Sequence, residues 1–267
     1  MNIIILTGNE IRHKYFRIFI SNNQKINVLS SYCEGNEHSL ENRVKKNSKS
    51  TLLEIQHVDA RKQSETDCFY EIIKQLKDKS NPKLIPKGDI NKNEIVSEII
   101  KSKADLLICY GSSLIKSELL DFYKGRFLNV HLGLSPYYRG SGTNIWPLIN
   151  GDPSMVGATF MHIDKGIDTG EIIHQIRADI YLGDSPHTLG NRLIKKMAKV
   201  YGEIIVKFMK LKPQEQPKNK GAFYRQKDFD SSACRVLYDR FNNGLVENFL
   251  NTKKMHKYIV HNEGLDS

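Results

Sequence analysis

Cysteine is scarce and scattered. Cys33, Cys68, Cys109 and Cys234 are the whole set, and no two stand close enough for a zinc or redox motif, so free buried thiols are expected and no metal site is. Long apolar runs are missing as well. Nothing reaches the roughly 18 to 20 residues that a membrane-spanning helix needs. The start, Asn2-Ile-Ile-Ile-Leu-Thr7, reads as a strand without the basic opening and small-residue cleavage site of a signal peptide, so a cytoplasmic location is expected. Glycines after that strand are too sparse for a dinucleotide fingerprint or a P-loop. No internal repeat is present. Only one tryptophan, Trp146, occurs in the chain.

What is present is a soluble composition, 39% hydrophobic and 26% charged over 267 residues, enough for one large domain with a small appendage. The net charge of +10 suits an anionic partner such as a nucleotide or phosphorylated substrate, or a solvated surface. Lysines are spread through helices and loops rather than gathered in a stripe, so nucleic-acid binding is not expected.

Strands and helices alternate along the chain. Asn2 to Thr7 leads through Gly8 and Asn9 into a helix carrying Arg12, His13 and Lys14 in its first turn, a place where backbone amides favour an anion such as a substrate phosphate. Ile26 to Ser30 reads as a second strand. Residues 34–66 are strongly polar and read as exposed helical structure with mobile ends, an insertion over the substrate pocket. Phe69 to Leu76 has helical spacing, Asn81-Pro82 marks a boundary, and Asn91 begins another helix. Ala104 to Tyr110 is a near-continuous apolar run, the mark of a strand buried on both faces of a parallel sheet. A short helix is expected around Ser117 to Phe122 and another over Thr143 to Ile149. A long helix should run from Ser185 to Leu211, opened by Asp184-Ser185-Pro186. After a polar connector, Ala222 to Arg225 reads as a small strand, and apolar positions from Val236 to Leu250 suffice for a short helix pair, whose exposed face would offer a homodimer contact.

Chemistry concentrates between Phe127 and Gly170. Phe127, Leu128 and Val130 make a strand on which Asn129 and His131 project side by side. An amide donor beside an imidazole suits a reaction that develops an oxyanion and moves a proton. Met155 to Ile163 and Glu171 to Ile176 read as two further strands. Between them Gly166 and Gly170 let the loop turn around Asp168 and bring a carboxylate back towards His131.

Asn129-Val-His131, then Leu134-Ser-Pro-Tyr-Tyr-Arg-Gly140, Asn150-Gly151, Val156-Gly-Ala-Thr159 and Asp168-Thr-Gly-Glu-Ile-Ile-His-Gln175 resemble the catalytic domain of the 10-formyltetrahydrofolate-dependent formyltransferases. The match is dense over about residues 105–176. The resemblance implies a Rossmann-like, open, mostly parallel sheet with flanking helices, covering residues 1–211, followed by a connector and short C-terminal helical extension over 212–267. It also implies that Asn129, His131 and Asp168 are the catalytic set and that 10-formyltetrahydrofolate is the co-substrate, with no metal. The loop after the strand ending at Tyr110 would hold the pterin, placing Tyr110, Gly111, Ser112 and Leu114, with Asp164 and Gly166, at the folate. Arg12, His13, Lys14, Tyr137, Arg139 and Trp146 would serve the acceptor. Gly133 stands where the family often has Ser, and Leu134-Ser135-Pro136 where it has Leu-Leu-Pro.

The acceptor class comes by exclusion. Glycinamide ribonucleotide relatives carry a glycine-rich phosphate loop that is missing here, and methionyl-tRNA relatives carry a C-terminal barrel for which the residues after the connector are too few. An amino sugar attached to a nucleotide, for a surface glycan such as lipopolysaccharide, is therefore the expected acceptor, with Trp146 resembling the sugar-modifying branch. Methionyl-tRNA, glycinamide ribonucleotide, and a non-catalytic folate- or nucleotide-sugar-binding module are the alternatives.

Overall fold

The computed structural model describes residues 1–217, 221–252 and 258–265. In chain order the first half comprises β1 (Asn2–Gly8), α1 (Ile11–Ser21), β2 (Asn27–Glu34), α2 (Leu40–Lys46), α3 (Leu52–Gln75), β3 (Pro82–Ile85), α4 (Asn93–Lys101), β4 (Leu106–Tyr110) and α5 (Ser117–Phe122). The second half comprises β5 (Phe127–His131), β6 (Tyr138–Gly140), α6 (Trp146–Ile149), β7 (Gly157–His162), β8 (Ile172–Arg177), α7 (Pro186–Lys207), β9 (Ala222–Tyr224), α8 (Ser231–Asn242) and α9 (Leu245–Thr252).

Alternation along β1 sets the layers. Ile3 and Ile5 pack under α1, α3 and α7 together with Phe16, Phe69, Leu193 and Met197. Ile4 and Leu6 turn to the other face, where Val96 and Ile99 of α4 and Leu119 and Leu120 of α5 cover them. Both faces are buried, so the strands are apolar throughout rather than alternating. The seven-stranded sheet has the order β3-β2-β1-β4-β5-β7-β8. The strands from β3 to β5 in that order are parallel, β7 enters antiparallel to β5, and β8 lies antiparallel to β7. The expected mostly parallel, Rossmann-like sheet with flanking helices is the architecture observed.

Local differences have physical causes. The polar 34–66 stretch is split, and its second part runs on without a break into the helix expected at Phe69. No Gly or Pro interrupts Leu52–Gln75, and the start is capped reciprocally: the Glu54 N–H donates to Thr51 Oγ1 (3.3 Å) and the Thr51 N–H to Glu54 Oε2 (2.8 Å). The Asn81-Pro82 boundary opens β3, an edge strand, where the missing proline N–H costs no ladder bond. Tyr138–Gly140 pairs in parallel with β9 in a separate two-stranded sheet.

The residues after α7 return to the sheet. Gln214 exchanges backbone hydrogen bonds with Ile172 (2.7 and 2.8 Å). Farther on, the Gln175 N–H donates to Val260 O (2.8 Å), and the Val260 N–H donates to the Gln175 side-chain oxygen (2.9 Å). Leu237, Leu245 and Val246 are buried within the chain, so much of the apolar face read as a dimer contact is used internally. No helix among the described residues is long and apolar enough to cross a membrane.

Because Ile5 is fully buried in β1, an interior strand of the sheet, Ile5→Ala should cost about 2–5 kcal/mol of stability, measured by urea denaturation with an unchanged m-value.

Candidate active site

The ends of β1, β4 and β5 open into one cavity of about 950 Å³, near the upper end of the usual range for ligand pockets of about 300–1,000 Å³. Carboxyl ends of strands in an open α/β sheet are where ligands gather, because loops there are free to diverge. Asn129 lies across from Cys109 and Met161 in its sheet, and His131 across from Thr159. Both line the cavity, and among the described residues the Asn129 amide has no hydrogen-bond partner.

Asp168 comes back to this strand end as the sequence suggested. Its Oδ2 lies 3.4 Å from His131 Nδ1 and accepts the Gly140 N–H at 2.9 Å. Its backbone is left-handed, φ 55°, a conformation that an Asp tolerates at some cost. Gln216 of the connector holds it there: its Nε2 donates to the carbonyls of Asp168 (2.9 Å) and Gly170 (2.8 Å). The carboxylate of Asp164 serves its own loop, accepting from the Gly166 N–H (2.9 Å) and the Thr169 hydroxyl (2.8 Å).

Tyr110, Gly111, Ser112 and Leu114 all line the cavity. The Tyr110 hydroxyl is buried and has no hydrogen-bond partner among the described residues, and burial holds its pKa above the usual phenol range. The loop they form is clamped by Glu34, a fully buried carboxylate at the end of β2. Glu34 accepts from Lys87 (3.1 Å), from the Gly88 N–H (2.8 Å) and from the Ser113 N–H.

Of the first turn of α1, Arg12 and His13 line the cavity and Lys14 does not. Arg12 lines the cavity but is engaged by Glu65 at 2.9 and 3.0 Å and by Glu10. Burial works against its charge, and the two carboxylates outweigh that and hold the guanidinium above its usual value. His13 is wedged between Gly8 and Gly111, where a Cβ on either glycine would come within 2.6 or 2.5 Å of its ring. Burial, with Arg12, Arg61 and Lys87 nearby, keeps its pKa well below the ordinary histidine value. Lys14 is exposed and, like Tyr137, Arg139 and Trp146, contributes nothing to the cavity lining. Trp146 is packed flat on Tyr224 at 4.1 Å between ring centroids. Tyr137 donates its hydroxyl to Tyr258 O at 3.3 Å.

Several lining residues escaped the sequence reading. His57, Arg61 and Glu65 recur every fourth residue along α3 and so share a face. That spacing was the available signal, in a stretch read as exposed. Glu65 bridges Arg12 and Arg61, the latter through Nε at 2.9 Å. His57 faces His187 of α7 with ring centroids 4.8 Å apart. The Tyr238 hydroxyl of α8 joins them, 3.0 Å from His57 Nδ1 and 3.3 Å from His187 Nε2. Arg43 of α2 donates to the carbonyls of Gln226 (2.6 Å) and Phe229 (3.1 Å), tying the polar insertion to the C-terminal segment across the cavity. Among the described residues no three His, Cys, Asp or Glu side chains group as metal ligands.

Comparison with known proteins places the chain in a family. The family model described as formyl transferase matches residues 21–205, and the chain belongs to that family. The methionyl-tRNA formyltransferase of Halothermothrix orenii is 29% identical over 162 residues, which cover 58% of this chain and 49% of that protein. The chain thus spans about half the length of the curated relatives it matches, or less. Among solved structures, a 4-N formyltransferase from Francisella tularensis superposes with a TM-score of 0.56 at 21% identity, covering 90% of this chain and 86% of that one. A formyltransferase from Anoxybacillus kamchatkensis, in complex with UDP-4,6-dideoxy-4-formamido-L-AltNAc and tetrahydrofolate, gives 0.52 at 22% identity, covering 88% and 97%. These likenesses establish a shared fold.

Burial holds His57 down to about 3 and His187 down to about 4, against 6.5 when unfolded. Between those values the unfolded chain binds more protons than the folded one, so stability should fall as pH drops from about 6.5 towards 3 to 4. The melting temperature followed across that window should decline, and His57→Phe should flatten the decline.

Proposed function

We propose that the chain transfers a formyl group from 10-formyltetrahydrofolate to a primary amine, the acceptor being a nucleotide-linked amino sugar. The observation that carries this is the meeting of His131 and Asp168, 3.4 Å apart, beside an unpaired Asn129 amide in a cavity of about 950 Å³. Family membership and the folate bound in the Anoxybacillus kamchatkensis protein support the donor. The residues present fit a folate: Tyr110 offers an unused hydroxyl, and Leu114 and Ile167 are exposed apolar side chains on loops at the cavity.

The folate supplies the formyl group on N10. Asn129 donates to the formyl oxygen as negative charge develops there during attack by the neutral amine. His131 takes the proton from the attacking nitrogen, with Asp168 stabilising the imidazolium, and returns it to N10 as that bond breaks. Positioning by Gln216 and Gly140 keeps the carboxylate where the new charge appears.

Two features favour a nucleotide-linked sugar. Phe223, Tyr224 and Phe229 line one side of the cavity with Arg225, a set suited to a base and its phosphates. The solved structures that superpose include formyltransferases crystallised with UDP- and dTDP-linked sugars. The curated sequence matches favour a second acceptor, methionyl-tRNA.

Purified protein incubated with 10-formyltetrahydrofolate and a panel of UDP- and dTDP-linked amino sugars should formylate one of them, with charged initiator tRNA as the competing acceptor. Asn129→Ala should fold normally and lose roughly a hundred- to thousandfold in kcat. Formylation of the tRNA alone would reassign the acceptor, and a fully active Asn129→Ala would remove the oxyanion role.

A further inference from the structure

Thr143, 3% exposed, lies in the loop between β6 and α6 and touches the histidine from the side opposite Asp168. Its hydroxyl donates to Leu132 O at 2.7 Å, and its Oγ1 lies 3.1 Å from His131 Nε2. The same Nε2 is 3.0 Å from Tyr138 O. A carbonyl oxygen only accepts. The one hydroxyl proton of Thr143 is committed to Leu132, so its oxygen also meets Nε2 with lone pairs. Both neighbours therefore call for a proton on Nε2, and the Asp168 carboxylate, also an acceptor, calls for one on Nδ1 from 3.4 Å. All three are satisfied only by the imidazolium, and in the neutral ring the two nearer acceptors compete with the carboxylate for one proton.

We infer that Thr143 is a positioning residue that sets the tautomer of His131. With Nε2 holding its proton between Thr143 and Tyr138 O, the basic atom of the neutral ring is Nδ1, which faces Asp168. A proton gained there lies next to the carboxylate that stabilises it. Gly133 belongs to the same arrangement. A Cβ at that position would lie 2.5 Å from His131 Nε2 and 2.7 Å from Thr143 Oγ1, so the space a side chain would fill is taken by the ring and the hydroxyl. The glycine in the place where relatives resembling this chain often have serine thus accompanies a hydroxyl delivered from ten residues farther along the chain.

This role presupposes that His131 acts in formyl transfer as proposed above, and the test separates the two. In protein labelled with 15N-histidine, His131 of the wild type should show a proton-bearing Nε2 and a lone-pair Nδ1 in its neutral form. Thr143→Val, close to isosteric, should lose part of that tautomer preference. It should also lower kcat roughly tenfold while KM for 10-formyltetrahydrofolate stays within about twofold. Thr143→Ser should recover most of both, and Gly133→Ala, which pushes into the ring, should disturb both. A wild-type His131 protonated on Nδ1 when neutral, or a Thr143→Val protein with unchanged 15N pattern and kcat, would overturn the inference. If the wild type formylates no member of the acceptor panel, the proposed function falls, and the 15N spectrum still decides the part played by Thr143.

Discussion

An ion-pair geometry between two side chains from different stretches of chain, His131 and Asp168, depends on nearly every other local feature around it. The imidazole is fixed because β5 is buried on both faces and aims its last residue at the cavity. The carboxylate has no such support from a strand. It sits on a left-handed residue of a loop, and its direction is set by a side chain from the connector and a backbone amide from β6. A helix or strand would hold an aspartate more firmly, but neither brings it round the end of β7 to meet the neighbouring strand. The loop supplies reach, and Gln216 supplies the rigidity a loop lacks.

The rest of the cavity wall is assembled from distant parts of the chain. α2 and the first half of α3 form one side, and the segment from Phe223 to Phe229 forms another, with Arg43 joining them. Buried charge there is matched locally: Glu65 between Arg12 and Arg61, Glu34 between Lys87 and two backbone amides. Removing one partner of such a set leaves the others uncompensated, so these residues act as groups rather than singly.

Much of this was legible in the chain, and the part that was not has a common cause. Ile3 to Leu6, Leu106 to Tyr110 and the face of α7 announce themselves by periodicity, because burial on a sheet imposes a repeat that local sequence must satisfy. Asn129, His131 and Asp168 were legible because a strand spacing of two and a glycine-flanked turn are local patterns. The pairing of Arg12 was not legible because its partner, Glu65, stands 53 residues away, and only folding brings the two charges together. His57 and His187 were hidden for the same reason. β3 and β6 escaped because Pro82 and the Pro136-Tyr137-Tyr138-Arg139-Gly140 run look like punctuation, and only their pairing with β2 and β9 makes them strands. The polar face of the first part of α3 reads as solvent-exposed because only folding shows that His57, Arg61 and Glu65 face the cavity.

Covering of the outer margin of β8 has a consequence for how the molecule comes into being. Gln175 finds its partner Val260 only 85 residues later, so during synthesis the last strand of the sheet waits with open amides and carbonyls while α7 and α8 are still being made. Exposed strand margins recruit other chains. The late segment that completes the margin therefore also shields a newly made molecule from its siblings, and shortening it would tell first on yield and solubility.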